Sequence, residues 1–197
     1  MTESTFAALL REQIRHEFTA SQQYIAIAVW FDNRDLPRLA AHFYAQSVEE
    51  RNHAMMMVQY LLDRDLEVAI TGIDDVRNEF NDVVEPLQLA LTQEQQVTHQ
   101  IETIFRAARD EGDLLGEQFM LWFLKEQVEE VASMNTLNAI AERAGDNWFY
   151  IEDHLAREQV GDVGDPLAQR LGVDAVLGVV GHLLLATSAR FVDRLLH

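Results

Sequence analysis

The sequence predicts an all-α fold in which four long helices pack together as a bundle. The residue usage favours Leu, Ala, Glu, Gln and Arg, and the chain has only three prolines and nine glycines. Apolar residues recur at alternating steps of three and four over long segments. The chain has 197 residues, of which 48% are hydrophobic, so it can bury one sizeable core. We expect one helical domain over residues 1–160 and a C-terminal extension over residues 161–197.

The chain is strongly acidic, with 33 Asp and Glu residues against 15 Lys and Arg residues and a formal net charge of -18. Such a charge repels nucleic-acid phosphate and anionic lipid, so we expect no nucleic-acid partner and no membrane partner. The chain has no cysteine, and its first residues lack a basic region followed by an apolar secretory core. The sequence therefore predicts a cytoplasmic protein.

The first two helices are predicted over about residues 5–33 and 35–64. Asp35 followed by Leu36 and Pro37 has the form of a helix cap with a first-turn proline. A sustained spacing of three and four marks one buried face on each helix. The predicted faces are Leu10, Ile14, Glu17, Ser21, Tyr24 and Ala28 on the first helix, and Leu39, Phe43, Gln46, Glu50, His53, Met57 and Tyr60 on the second.

Residues 65–81 lose the helical pattern and form a connection too long for a tight turn. About 16 extended residues reach roughly 50 Å, whereas a helix of about 28 residues is roughly 42 Å long. The connection can therefore travel the length of the bundle, which predicts that the second and third helices run parallel.

The third and fourth helices are predicted over about residues 82–110 and from the cap at Gly112-Asp113 to Ala144. Short, long and short connections describe two antiparallel hairpins joined by one crossover. The predicted buried faces are Leu87, Leu91, Glu94, Thr98, Ile101 and Phe105 on the third helix, and Met120, Phe123, Gln127, Glu130, Met134, Leu137 and Ala141 on the fourth.

A shorter fifth helix is predicted over roughly residues 147–159, after a break at Gly145-Asp146. Residues 167–196 are strongly apolar, but their uninterrupted apolar run is shorter than the roughly 20 residues that a membrane span needs. We interpret this C-terminal segment as a helical docking extension.

Four carboxylates, Glu17, Glu50, Glu94 and Glu130, lie near the middle of the four predicted helices, on faces that carry no Lys or Arg. A single Glu-x-x-His such as Glu50-x-x-His53 usually marks only a solvated face. Four carboxylates at one height in a dry core are different, because buried ionised carboxylates must be paired or must bind metal. Four negative charges neutralise two divalent cations, and His53 adds a nitrogen ligand. Mixed oxygen and nitrogen ligands with open positions favour a di-iron pair bridged by Glu50 over structural zinc.

These residues resemble the bacterial non-haem ferritins over roughly residues 3–160, most closely in the blocks 49–54 and 117–130. The resemblance implies a ferritin-like four-helix bundle with one long crossover and a short fifth helix, assembled as a hollow shell of 24 subunits. It implies iron storage with oxidation of Fe(II) by dioxygen or peroxide. It also implies a set of site residues: one iron is held by Glu17, Glu50 and His53, the other by Glu50, Glu94 and Glu130, Gln127 and Tyr24 line the centre, and Glu49, Glu126 and Glu129 form a third iron site.

Two departures from the family pattern separate the chain from its relatives. Bacterioferritins and many di-iron oxygenases carry a second Glu-x-x-His on the fourth helix, where this chain has Gln127 and Glu130. Bacterioferritins also bind haem through a methionine directly after the second-helix glutamate, where this chain has Arg51. The resemblance therefore implies two irons per subunit and no haem.

Two other functional classes remain open on the sequence. A di-iron oxidase that acts on an organic substrate uses a similar bundle, although it usually carries the second Glu-x-x-His. A miniferritin that protects DNA places its iron ligands between subunits and often has a basic tail. The segment 161–197 has alternatives of its own: it packs between subunits, it projects into the cavity or axis, or it addresses the protein to an encapsulating shell.

Overall fold

A computed structural model of the protein describes residues 4–162. Five helices make up this part of the chain: α1 (Thr5–Asp32), α2 (Pro37–Asp63), α3 (Val84–Asp110), α4 (Leu114–Ala144) and α5 (Trp148–Asp162). No strand occurs within residues 4–162, which confirms the all-α prediction. None of these helices is both long enough and apolar enough to cross a membrane. The segment 163–197 lies outside the described residues.

Side-chain caps begin two of the helices, and a glycine ends one. The Ser4 side chain accepts a hydrogen bond from the Ala7 amide at the start of α1, and the Asp113 side chain accepts one from the Gly116 amide at the start of α4. Gly145 ends α4 with a φ of 53°, a left-handed conformation that glycine adopts at little cost. The predicted cap at Asp113 is confirmed.

The predicted cap at Asp35 is wrong. Asp35 has a φ of 56° and occupies the left-handed position that closes α1, where the Leu36 amide donates back to the Phe31 carbonyl. Leu36 is then the residue before α2, and its side chain offers no hydrogen bond. The carboxylate of Glu152, from α5, takes over the capping role by accepting hydrogen bonds from the Arg38 and Leu39 amides, each at 2.9 Å.

The crossover between α2 and α3 follows α1 from its beginning to its end. The Glu67 carbonyl accepts from Arg11, and the Asp74 amide donates to the Thr19 hydroxyl. Further on, the Gln23 amide bonds to both the N–H and the carbonyl of Arg77. Because α1 and α2 form one hairpin, α2 ends near the beginning of α1. A crossover that then follows α1 towards its end brings the start of α3 to the end of the bundle where α2 also starts. The parallel arrangement of α2 and α3 is confirmed.

The predicted buried faces of α1 and α4 are confirmed at every position. The face of α3 differs, because Leu91, Thr98 and Phe105 are only partly buried. Tyr60, on α2, is also only partly buried. The α3 residues that pack inward alternate by three and four in a shifted register: Leu87, Ala90, Glu94, Val97, Ile101, Ile104 and Ala108.

Candidate metal centre

The predicted ligands converge from four helices, with Glu17 on α1, Glu50 and His53 on α2, Glu94 on α3 and Glu130 on α4. Each side chain is buried, and the exposed fraction is 1% for Glu17, Glu50 and Glu94, 6% for His53 and 8% for Glu130. The buried faces of the four helices therefore bring these polar side chains to one height in the interior, as the sequence predicts.

The five side chains form two groups that share Glu50. One group is Glu17, Glu50 and His53, and the other is Glu50, Glu94 and Glu130; the ligand atoms within each group lie within 4.8 Å of one another. The His53 Nδ1 atom lies 3.5 Å from Oε2 of Glu50 and 4.0 Å from Oε2 of Glu17. Two ions, each held by three side chains and bridged by one carboxylate, match this arrangement.

Three oxygens at the centre have no hydrogen-bond partner although they are shielded from solvent: Oε2 of Glu17, Oε1 of Glu50 and Oε2 of Glu94. A buried polar atom without a partner costs about 1–3 kcal/mol, and more when the group is charged. Carboxylate oxygens and an imidazole nitrogen suit divalent first-row metals. The residues present therefore fit a pair of divalent cations.

Burial and crowding raise the pKa of every carboxyl at the centre. Desolvation is the largest cause for Glu17 and Glu50, and the neighbouring carboxylate charges add to it, so both pKa values lie well above 4.5. The same two causes raise the pKa of Glu130 to about 8. The pKa of Glu94 is also raised by desolvation, although hydrogen bonds from Tyr24 and Gln127 oppose the shift. Without cations, Glu130 therefore retains its proton near neutral pH.

Tyr24 and Gln127 contact the second group directly. The Tyr24 hydroxyl, on a fully buried ring, donates to Oε1 of Glu94. Burial and the Glu94 charge raise the pKa of Tyr24 well above 10, so the phenol keeps its proton. Gln127 accepts a hydrogen bond of 2.8 Å from the Thr98 hydroxyl. Both side chains act on Glu94, and their roles in the centre stay predictions.

Comparison with known proteins now identifies the family. Residues 7–144 match the model of the Ferritin-like domain. The chain belongs to the ferritin family. Family membership supports iron storage as its general function and iron as the metal it handles.

The similar proteins include close and distant ferritins. Ferritin BfrB of Mycolicibacterium smegmatis is 65% identical over 168 residues, which are 85% of this chain and 93% of that protein. A Mycobacterium tuberculosis relative, 63% identical over 78% of this chain and 84% of its own length, carries the name Ferritin BfrB in two strains and Bacterioferritin BfrB in a third. The bacterial non-heme ferritin of Staphylococcus saprophyticus is 34% identical over 75% of this chain and 91% of its own length. An open-pore ferritin from Archaeoglobus fulgidus shares the fold, with a TM-score of 0.75, 24% identity and coverage of 78% of this chain and 95% of that one.

The three residues predicted to form a third iron site lie outside the two ligand groups of the centre. Glu49 and Glu129 are exposed, Glu126 is partly buried, and neither of the two ligand groups found within residues 4–162 includes any of them. The carboxylate of Glu129 instead lies 3.7 Å from the Lys125 ammonium. Glu49 and Glu126 do act on the centre through their charges, which help to raise the pKa of Glu130. The third site stays a prediction.

Two features of the ferritin centre were not predicted from the sequence. The Gln13 amide, which is 1% exposed, donates a 2.9 Å hydrogen bond to Oε1 of Glu17. The rings of Trp122 and Phe123 pack edge-on against His53, with centroids 5.5 and 5.7 Å away. The position of Gln13, one helical turn before Glu17, is a signal that could have found the first contact.

Proposed function

We propose that this ferritin is a ferroxidase of the bacterial non-haem type, which oxidises Fe(II) at Glu17, Glu50, His53, Glu94 and Glu130. Dioxygen or peroxide is the oxidant, and Fe(III) is stored as a hydrated oxide inside an oligomeric cage. The observation that carries this proposal is the pair of buried ligand groups that share Glu50 and retain unpartnered oxygens.

The protein side chains provide charge neutralisation, geometry and proton release. Four glutamates offer four negative charges when ionised, which offset two ferrous ions. Because the carboxyl pKa values are raised, binding of Fe(II) displaces protons from the centre. Two ferrous ions then give one electron each, and one oxidant molecule accepts both electrons. Glu50 holds the two metal positions close enough for this joint transfer.

Tyr24 and Gln127 act on the same reaction through Glu94. The Tyr24 hydroxyl occupies Oε1 of Glu94, which leaves Oε2 free for iron. Gln127, which accepts a hydrogen bond from Thr98, opposes the rise in the pKa of Glu94. Glu49, Glu126 and Glu129 form an acidic rim that passes iron to and from the centre, in keeping with the exposure of Glu49 and Glu129.

The proposed centre works without haem. Arg51 is exposed and stands where the family's haem-binding members have methionine, and a guanidinium is a poor haem ligand. Because the name bacterioferritin occurs among the relatives, this point needs its own test. When haem is added to the purified protein, the absorption spectrum should show no band of haem bound by the protein in a fixed ratio to the subunits.

Storage requires an enclosure, and we propose a cage of 24 copies. The outer surfaces of α1 and α2 support assembly because they expose large apolar side chains that a partner subunit would cover: Ile25, Val29, Tyr44, Val48 and Met55. Within this proposal, residues 1–160 are the ferritin domain in the cytoplasm, and residues 161–197 are a docking segment, either between subunits or toward an encapsulating shell. Light scattering tests the assembly, and a stable monomer or dimer would exclude storage in a self-made cage.

The decisive experiment compares Glu50→Ala with a matched surface variant, Glu102→Ala. Glu102 is a partly exposed glutamate on α3 that pairs with Arg106 at 2.8 Å and belongs to neither ligand group. Each assembled protein is titrated with Fe(II) without oxygen and is then exposed to oxygen. We expect two tightly bound Fe(II) ions per chain and rapid oxidation in the wild type and in Glu102→Ala, and loss of both in Glu50→Ala. Wild-type oxidation rates in Glu50→Ala would refute the bridge.

A further inference from the structure

We infer that Gln13 is a positioning residue that restricts Glu17 to one metal-binding oxygen. It thereby sets the affinity of the first metal position, which is formed by Glu17, Glu50 and His53. The inference deepens the proposed function and rests on it. The feature that suggests it is the single hydrogen bond between Gln13 and Glu17 inside the bundle.

Gln13 is placed where an amide is costly. Its side chain is 1% exposed and lies on α1 between Leu10 and Ile14, which are both members of the apolar core. An apolar residue at this position would avoid the desolvation of a primary amide. The amide instead reaches Glu17, one turn further along the same helix, at 2.9 Å. When metal is bound and Glu17 is ionised, the carboxylate can only accept hydrogen bonds, so the amide then keeps its NH₂ group toward Glu17.

The two oxygens of Glu17 consequently differ. Oε1 accepts from Gln13, whereas Oε2 is buried without a partner and lies 4.0 Å from Nδ1 of His53. One ion at about 2.1 Å from each atom spans such a gap. Glu94 has the same division, because Oε1 accepts from Tyr24 and Oε2 has no partner. Glu17 in the first group and Glu94 in the second are therefore each left with one free oxygen, because an amide binds the other oxygen of Glu17 and a phenol binds the other oxygen of Glu94.

Removing the Gln13 donor frees Oε1 and lets the Glu17 carboxylate rotate. Loss of a hydrogen-bonding partner behind a metal ligand typically lowers metal affinity about 10- to 100-fold. Because Gln13 donates to Glu17, which belongs to the first group alone, we expect the effect at the position of Glu17, Glu50 and His53. The ratio of metal occupancy at this first position to metal occupancy at the second position, formed by Glu50, Glu94 and Glu130, should therefore change.

The test uses Gln13→Met, which keeps the length without the donor, and Gln13→Asn, which keeps an amide too short to reach Glu17. The matched control is Gln23→Met, since Gln23 is also a buried amide on α1, but it bonds to the backbone of Arg77 in the crossover. Crystals of each assembled, metal-free protein receive less zinc than the sites can hold. Anomalous scattering then measures zinc occupancy at the two positions.

We expect the occupancy ratio of the first position to the second to fall about tenfold or more in both Gln13 variants and to stay at the wild-type value in Gln23→Met. An unchanged ratio in the Gln13 variants, or an equal change in Gln23→Met, would overturn the inference. Failure of both Gln13 variants to assemble, with normal assembly of Gln23→Met, would assign Gln13 to folding and also overturn it. Absence of zinc from both positions in the wild type would instead refute the dinuclear centre.

Discussion

Glu130→Gln should stabilise the metal-free protein while it weakens the metal centre. Burial and neighbouring carboxylates raise the pKa of Glu130 from 4.5 to about 8, so at pH 7 the folded protein holds a proton that the unfolded chain has released. The retained proton lowers the free energy of unfolding by about 3 kcal/mol at pH 7, because each pH unit above the unfolded pKa of 4.5 contributes about 1.4 kcal/mol. A glutamine has no proton to retain, and its NH₂ group can donate to the surrounding carboxylates.

The sign of the pH dependence follows from the raised pKa. The contribution of Glu130 to stability is complete below pH 4.5 and is lost as the pH rises toward about 8. The advantage of Glu130→Gln over the wild type should therefore vanish near pH 4.5, reach about 3 kcal/mol at pH 7 and level off above pH 8. For a chain of this size, 3 kcal/mol corresponds to a rise in Tm of roughly 6–12 °C.

Unfolding of chelator-treated protein by heat or guanidinium, measured from pH 5 to pH 9, provides the assay. Glu142→Gln is the matched control, because Glu142 is an exposed glutamate on the same helix. Zinc should stabilise the wild type more than Glu130→Gln, since the variant lacks one ligand of the second group. A Glu130→Gln protein that is no more stable than the wild type at pH 7 would refute the conclusion that this carboxyl is desolvated among like charges.

Three further predictions follow from individual contacts. Anaerobic Fe(II) binding at pH 7 should release protons, measured with an indicator dye, and the release should decrease toward pH 9 because the raised pKa of Glu130 is then exceeded; no release at pH 7 would contradict the raised pKa values. Tyr24→Phe should retain two metal ions per chain but slow iron oxidation in stopped-flow measurements, because Oε1 of Glu94 loses its donor; wild-type kinetics would remove Tyr24 from the reaction. Glu152→Ala should lower the free energy of unfolding by about 1 kcal/mol, since the first amides of α2 lose their cap, whereas no change in guanidinium unfolding would show that water replaces it.

The helices and the metal ligands could be predicted because one repeated signal fixes both. On α1 and α4 a single face carries the apolar residues, and Glu17, Gln127 and Glu130 keep its spacing, so the helical period alone places them inside. On α3 the period was ambiguous. Leu91 and Phe105 lie beside Ala90 and Ile104, so two registers look apolar, and packing against the other helices selects the second.

The errors at the helix ends and the omitted Gln13 have a common origin. Asp35 has the residue type of a cap, but closure of α1 requires a left-handed residue there, and the caps of α2 come from Glu152 more than a hundred residues later. Gln13 does not break the apolar pattern strongly enough to suggest a role until its amide is seen against Glu17. Contacts between distant segments, and the atoms of one side chain, are not encoded in local periodicity.

The crossover is attached to α1 at separate points, and Gly72, which lies between two of them, faces open space. Glu67 and Asp74 are tied to Arg11 and Thr19, while a side chain added at Gly72 would meet no atom within 4 Å. A foreign peptide inserted at Gly72 would therefore leave the anchors on both sides, and the direction of α3, unchanged. In this subunit, the segment that determines the topology also offers a place where new sequence can be displayed.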